Sequence, residues 1–246
     1  MRGEVLFLLY LLILFLSNVL GAIGGFGAGL ISIPFLTQLF DAKTVIMAST
    51  ITCILNAWIV WENRREIDWK QLKIIGGWLC LGLPFGVAGL KYIPVPELKL
   101  FLGVFMILLG IYGLLKQKYP SIENFRFSPP ALRTILFAGG IIQGAISSGG
   151  SMVLLYTQQE IREKEKFRAT LALLWTIVSV LTAAQYQISG TLHAEVWKLA
   201  LPGFPAVLLG IYVGNRISKG LSREKFLSII YLLILSAGIL NCISYF

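Results

Sequence analysis

The sequence predicts an all-α polytopic membrane protein built from two inverted-topology repeats. Each repeat holds four apolar segments, the first of them broken and re-entrant at a Gly/Ser-rich loop. Three observations lead there. The 246 residues are 57% hydrophobic and 13% charged, against about 25% charged in an ordinary soluble domain. Glycine-rich interruptions at Gly21–Gly29 and Gly144–Ser151 break the apolar stretches that open the two halves. The basic residues sit in short loops, and their distribution favours one side only if a broken stretch turns back.

The first stretch runs from Val5 to Phe40. Its leading part, Val5–Leu20 after Arg2, resembles the apolar core of a signal peptide, but it flows into further membrane-length sequence and is expected to be retained. The break holds Gly21, Gly24, Gly25, Gly27 and Gly29, followed by Pro34. Glycine reaches φ > 0 and lets backbone approach other groups closely. A half-helix starting after such a loop presents unpaired N–H groups and a positive dipole end, which suits an anion. The spacing Gly21-xxx-Gly25-xxx-Gly29 also fits close helix packing. The matching break in the other half favours the binding reading, with Gly24, Gly25, Gly27 and Gly29 as contacts. A bilayer tolerates broken helices only where protein or a watery cavity receives the freed backbone.

Val45–Trp61, Leu72–Leu90 and Leu98–Leu115 follow, each near the ~20 residues a span requires. In the first of these, Ser49, Thr50, Thr52, Asn56 and Trp58 recur at helical spacings, a polar stripe that faces the bundle or a pathway rather than lipid. The pair Gly82-xxx-Gly86, with Pro84 inside it, reads as a close helix crossing. The Pro-containing loop Lys116–Pro130 then divides residues 1–116 from 131–246, with 117–130 as connector.

The second half opens on the broken stretch Leu132–Tyr156. Here Gln143, Ser147, Ser148, Gly149, Gly150 and Ser151 bring hydroxyls and an amide, which donate to an oxyanion or satisfy the broken backbone. Ala169–Ile188 carries Trp175, Thr176 and Ser179, matching the polar stripe of the first half; Asn56 and Thr176 are candidate substrate contacts. Val196–Val213, with Pro202, Pro205 and Gly210-xxx-Gly214, and Phe226–Tyr245 complete the set.

Charge sets the topology. If all eight segments cross, the basic residues divide 10 against 11, and the halves contradict each other under the positive-inside rule. If Leu132–Tyr156 returns to its own side, loops 62–73, 116–133, 158–168 and 215–225 share one face with 16 basic residues. Lys43, Lys91, Lys99 and Lys198 then lie opposite. The rich face is taken as cytoplasmic, which puts the C-terminus outside. An internal duplication agrees. Gly21-Ala22-Ile23 aligns on Gly144-Ala145-Ile146. At an offset of 128, Trp69-Lys70 falls on Trp197-Lys198, Gly82 on Gly210, Gly86 on Gly214 and Gly110-Ile111 on Gly238-Ile239. By symmetry the first broken stretch is also expected to turn back.

The same pattern excludes other functions. A net charge of +9 suits nucleic acid only if it is clustered, and here it follows the membrane loops. Cys53, Cys80 and Cys242 have no paired spacing and read as small apolar residues. His193 alone cannot form a metal site, and no metal or cofactor is expected. Asp41, Glu62, Glu160 and Arg168 lie at segment edges, so the spans offer no proton relay of the usual carboxylate or histidine kind. Ser147 and Ser148 lack a nearby base in a span, which argues against a serine protease or any other enzyme. The expected partners are a small anion and the bilayer; oligomeric state is not encoded in the pattern.

The stretch Gly24-Gly25-Phe26-Gly27-Ala28-Gly29 before Pro34, its degenerate copy at Gln143–Ser151, and two four-segment halves resemble the sulfite exporter TauE/SafE (TSUP) family over essentially the whole chain. The resemblance implies a cytoplasmic-membrane transporter of small sulfur-containing or organic anions such as sulfite, sulfonates and sulfoacetate. Its usual seven or eight crossings differ from the hairpin topology that the charges favour. A passive anion channel and a non-transporting membrane assembly factor are the alternatives.

Overall fold

The computed structural model describes residues 2–37, 39–89, 95–119, 126–146, 149–188 and 190–243, and these form helices and turns without a strand. In order they are α1 (Arg2–Gly24), α2 (Ala28–Leu36), α3 (Ala42–Cys53), a 3-10 turn (Ile54–Asn56) and α4 (Ala57–Asn63). Then come α5 (Trp69–Gly89), α6 (Val95–Lys118), α7 (Pro129–Ile146) and α8 (Gly150–Glu160). The last three are α9 (Lys164–Ile188), α10 (Ala194–Gly220) and α11 (Arg223–Ile243). Five helical stretches among the described residues are long and apolar enough to span a bilayer: Glu4–Gly24, Lys43–Glu66, Lys164–Ile188, Ala194–Gly220 and Glu224–Ile243. The chain is a multi-pass membrane protein. Its helices separate into two compact units, each drawing on both halves of the sequence.

The first unit is Met1–Ile67 with Arg168–Leu221, and α10 is its spine. Gly203 faces Tyr10 and Leu14, Gly210 faces Phe15 and Asn18, and Gly214 faces Val19 and Ala22. The numbers rise together, so α1 and α10 run parallel. The stretch from α3 to α4 also runs parallel to α10. Met47, Ala48 and Ile51 pack with Val196 and Ala200, Trp58 lies 6.5 Å from Tyr212, and Glu62 reaches Asn215. Two successive segments parallel to one helix require the chain to come back between them. α2 brings it back, and beyond α2 Phe40 meets Tyr10 edge-on at 5.6 Å. The first broken stretch therefore begins and ends at the same end of this unit. α9 runs the other way, with Arg168 at Ala22, Ser179 at Cys53 and Tyr186 against the Met47–Ala200 cluster.

The second unit is Asp68–Phe167 with Ser222–Phe246. In it α6 and α11 cross closely and antiparallel: Gly103 faces Gly238 and Cys242, while Gly110 and Gly113 face Tyr231. α7 packs on α5, and α8 folds back along α7 with Met152 on Gly139. The Gln159 side chain closes this hairpin. It accepts from the Phe127 N–H and donates to the Phe127 carbonyl, each at 3.0 Å. The second broken stretch thus also starts and finishes in one place.

The glycine pairs mark the same crossing twice. A Cβ on Gly210 would meet the Phe15 carbonyl at 2.6 Å, Asn18 Cβ at 2.9 Å and the Val19 nitrogen at 3.2 Å. A Cβ on Gly82 would meet the Phe137 carbonyl, the Gly140 Cα at 3.0 Å and the Ile141 nitrogen at 2.9 Å. Residues 137, 140 and 141 each stand 122 positions after 15, 18 and 19, and Gly210 stands 128 after Gly82. Composition alone does not produce a repeated set of backbone contacts. Pro84, Pro202 and Pro205 lie inside α5 and α10, as neighbouring helices in a membrane permit.

Candidate functional site

The first break lies in the first unit. α1 ends at Gly24, Gly25 and Gly27 take φ of +74° and +94°, and α2 starts without a side-chain cap. The last carbonyls of α1 have no partner within the helix. One of them, Ala22 O, accepts from Arg168 Nε at 2.6 Å. Arg168 is wholly buried, with 0% exposure. Its Nη2 donates to Asn215 Oδ1, Asn215 Nδ2 donates to Glu62 Oε2 at 3.1 Å, and Trp58 Nε1 donates to Glu62 Oε1 at 2.8 Å. A cation at a helix C-terminus is electrostatically favoured, and here a neutral amide links it to a carboxylate.

Each glycine of the break has a different task. A Cβ on Gly25 would lie 2.5 Å from the Arg168 carbonyl and 2.9 Å from its Cα, so only glycine lets α9 come this close. Gly21 packs against Ala28, where a Cβ would approach to 2.7 Å. Gly24 closes α1 and is buried, whereas Gly27 and Gly29 are half-buried. Gly27 has nothing within 4 Å of a Cβ, and Gly29 has only Ile33 nearby. Among the described residues, Gly27 and Gly29 therefore border open space beside the first turn of α2.

The second break lies in the second unit. Ser147 and Ser148 fall outside the described residues. Gln143 Oε1 accepts from the Gly149 N–H at 2.9 Å and so ties the loop down. A Cβ on Gly149 would strike the Gly139 carbonyl, which makes this glycine a packing residue. Gly150 is buried at the start of α8. Ser151 is 0% exposed, and its Oγ has no hydrogen-bond partner among the described residues. A buried hydroxyl left open in the first turn of a helix is an unfilled polar position.

Of the two mid-span candidates, Asn56 is buried in the 3-10 turn and donates to Cys53 Sγ at 3.2 Å. Thr176 Oγ1 instead donates to the Ala172 carbonyl at 2.8 Å, a bond within its own helix. A groove of about 470 Å³ bordered by Phe7, Tyr10, Phe40, Asp41 and Lys198 lies toward the other end of α1, roughly 25 Å along the helix from the break.

With these two hairpins in place, the comparisons with known proteins acquire a structural meaning. The profile of the sulfite exporter TauE/SafE family matches residues 10–241. The chain belongs to the sulfite exporter TauE/SafE family. It is 27% identical over 148 residues to a probable membrane transporter protein of Haemophilus influenzae, a match covering 56% of this chain and 55% of that protein. No solved structure matches.

In this TauE/SafE member, sequence reasoning places Arg168 among the loop charges, and the structure buries it instead. Its position at the edge of an apolar stretch hides it. The available signal is spacing: Arg168, Trp175 and Ser179 fall on one face of a helix at i, i+7 and i+11. Asn215 and Glu62 come from segments far apart in sequence and carry no such signal.

Proposed function

We propose that this protein is a cell-membrane transporter for a small anion, a sulfur oxyanion or organosulfonate of the sulfite kind, working by alternating access between residues 1–116 and 131–246. The observation that carries the reading is Arg168, a guanidinium withdrawn from solvent at the broken end of α1 in a member of this family. A buried cation in a membrane segment costs about 2.5–3.5 kcal/mol on insertion scales, and such residues mark ion pathways. Within the same unit, the N–H groups of the first turn of α2, which have no partner inside that helix, add neutral donors of the kind an oxyanion needs.

Inverted topology has its own support. Between the antiparallel α6 and α11 lie one hairpin and the two helices α9 and α10. A hairpin that returns to its starting side leaves α6 and α11 antiparallel, whereas one more crossing makes them parallel. The repeated glycine crossing agrees with duplication. Withdrawing Arg168 from the basic loops leaves 15 of the 16 residues on the cytoplasmic face, so the charge bias stands. A periplasm-active reporter fused after Phe246 is expected to be active; activity of only a cytoplasm-active reporter there overturns the arrangement.

Purified protein in liposomes, assayed with sulfite, thiosulfate, sulfonates and small carboxylates, tests the transport reading. Saturable flux with counterflow exchange is the expected result. Large single-channel currents identify a passive channel instead, and absence of flux for every anion refutes the reading.

A further inference from the structure

The polar groups half-way along the first unit form an arrangement that the two breaks do not account for. The stretch Lys43–Glu66 loosens into its 3-10 turn at Ile54–Asn56, near its middle. Beside the turn, Asn56 Nδ2 donates to Cys53 Sγ at 3.2 Å, and the Ser179 side chain lies beside that sulfur. Ser179 and Trp175 share a face of α9 one turn apart. α9 runs antiparallel to this stretch, with Arg168 toward the end where Glu62 lies and Ser179 at Cys53. Trp175 therefore stands beside the turn that follows Cys53. Its indole Nε1 is buried and has no hydrogen-bond partner among the described residues, and the residue is 8% exposed.

Buried tryptophan N–H groups ordinarily find an acceptor. Here an indole, an amide and a hydroxyl supply donors, and the acceptor that the amide meets is a thiol sulfur, a weak one. The group lacks a strong acceptor. Arg168 lies on the same face of α9 two turns away, roughly 10 Å along the helix, and its charge favours an anion over a neutral acceptor. Short 3-10 stretches inside helices often mark functional hinges, and carriers hold cargo near the midplane at interrupted helices.

We infer that Trp175, Asn56 and Ser179, around Cys53, form the midway anion station of the first unit, binding a small oxyanion through its oxygens. This rests on the transport reading above and gives that reading a place for the cargo. Trp175→Phe keeps the ring bulk and removes only the donor. It is expected to raise the KM for radiolabelled sulfite in liposomes about ten-fold, the effect of one hydrogen bond to a charged group, with the maximal rate little changed. A second measurement leaves the tryptophan in place. In a Cys80→Ala, Cys242→Ala background, N-ethylmaleimide labels Cys53 as the sole thiol. Sulfate, methanesulfonate or sulfoacetate, whichever is transported, is expected to slow that labelling several-fold. An unchanged KM together with labelling indifferent to a transported anion overturns the station, identifies the group as a water site only, and leaves the transport reading intact. Absence of flux for every anion in the unsubstituted protein instead overturns the transport reading and the station with it.

Discussion

Arg168→Gln is expected to lower anion flux at least about 100-fold in liposomes at equal insertion. Each hydrogen bond made by a charged group contributes about 1.5–3 kcal/mol, and the change removes two, to the Ala22 carbonyl and to Asn215 Oδ1. It also removes the positive charge at the broken end of α1, so both anchoring of the break and attraction for an anion are lost. Arg168→Lys separates these effects. Lysine keeps the charge, but its point-like ammonium does not reproduce the planar fork that serves two acceptors in different directions. An intermediate loss of about ten-fold is expected, appearing mainly in the maximal rate. Glutamine and lysine variants that both transport like the parent exclude Arg168 from the pathway.

Gly25→Ala is expected to be the most destabilising single-methyl change in the first break. A non-glycine residue in the left-handed region costs about 1–2 kcal/mol, and overpacking costs about 1–3 kcal/mol more. Both apply, because Gly25 has φ +74° and a Cβ there would meet backbone atoms of Arg168, which cannot rotate away. Gly27→Ala isolates the first cost: its φ is +94°, with nothing within 4 Å. Thermal unfolding in detergent should therefore rank the parent above Gly27→Ala, and Gly27→Ala above Gly25→Ala. A reversed order for the two glycines removes the close approach of α9 to the break.

Arg168 on α9 and Gly25 in the first break meet in space, yet they were unequally legible. The glycines of the break stand out because an apolar stretch interrupted at Gly21–Gly29 has few physical explanations. Arg168 does not stand out, because basic residues at the ends of spans are ordinary and usually face water. Only the meeting of α1, α9 and α10 shows that this one does not. Gln143 and Thr176 were legible as polar residues in apolar stretches, and the packing adds their partners: Gln143 Oε1 accepts from the Gly149 N–H, and the Thr176 hydroxyl donates to its i−4 carbonyl.

The sequence by itself determined the class of the protein and the positions of both breaks. The duplication, and the return of a broken stretch to its own side, are what it predicts. These follow from quantities that accumulate along a chain: apolar length, glycine runs, loop charge and repeat offsets. The tertiary structure alone decided that Arg168 is buried against a freed carbonyl, that Gly25 faces the backbone of α9, and that Asn56 and Ser179 meet Cys53 half-way along one unit. The reason is that burial and hydrogen-bond satisfaction depend on which helix faces meet. Residues 22, 168 and 215 share no local pattern, and only the packing of parallel and antiparallel helices brings them together.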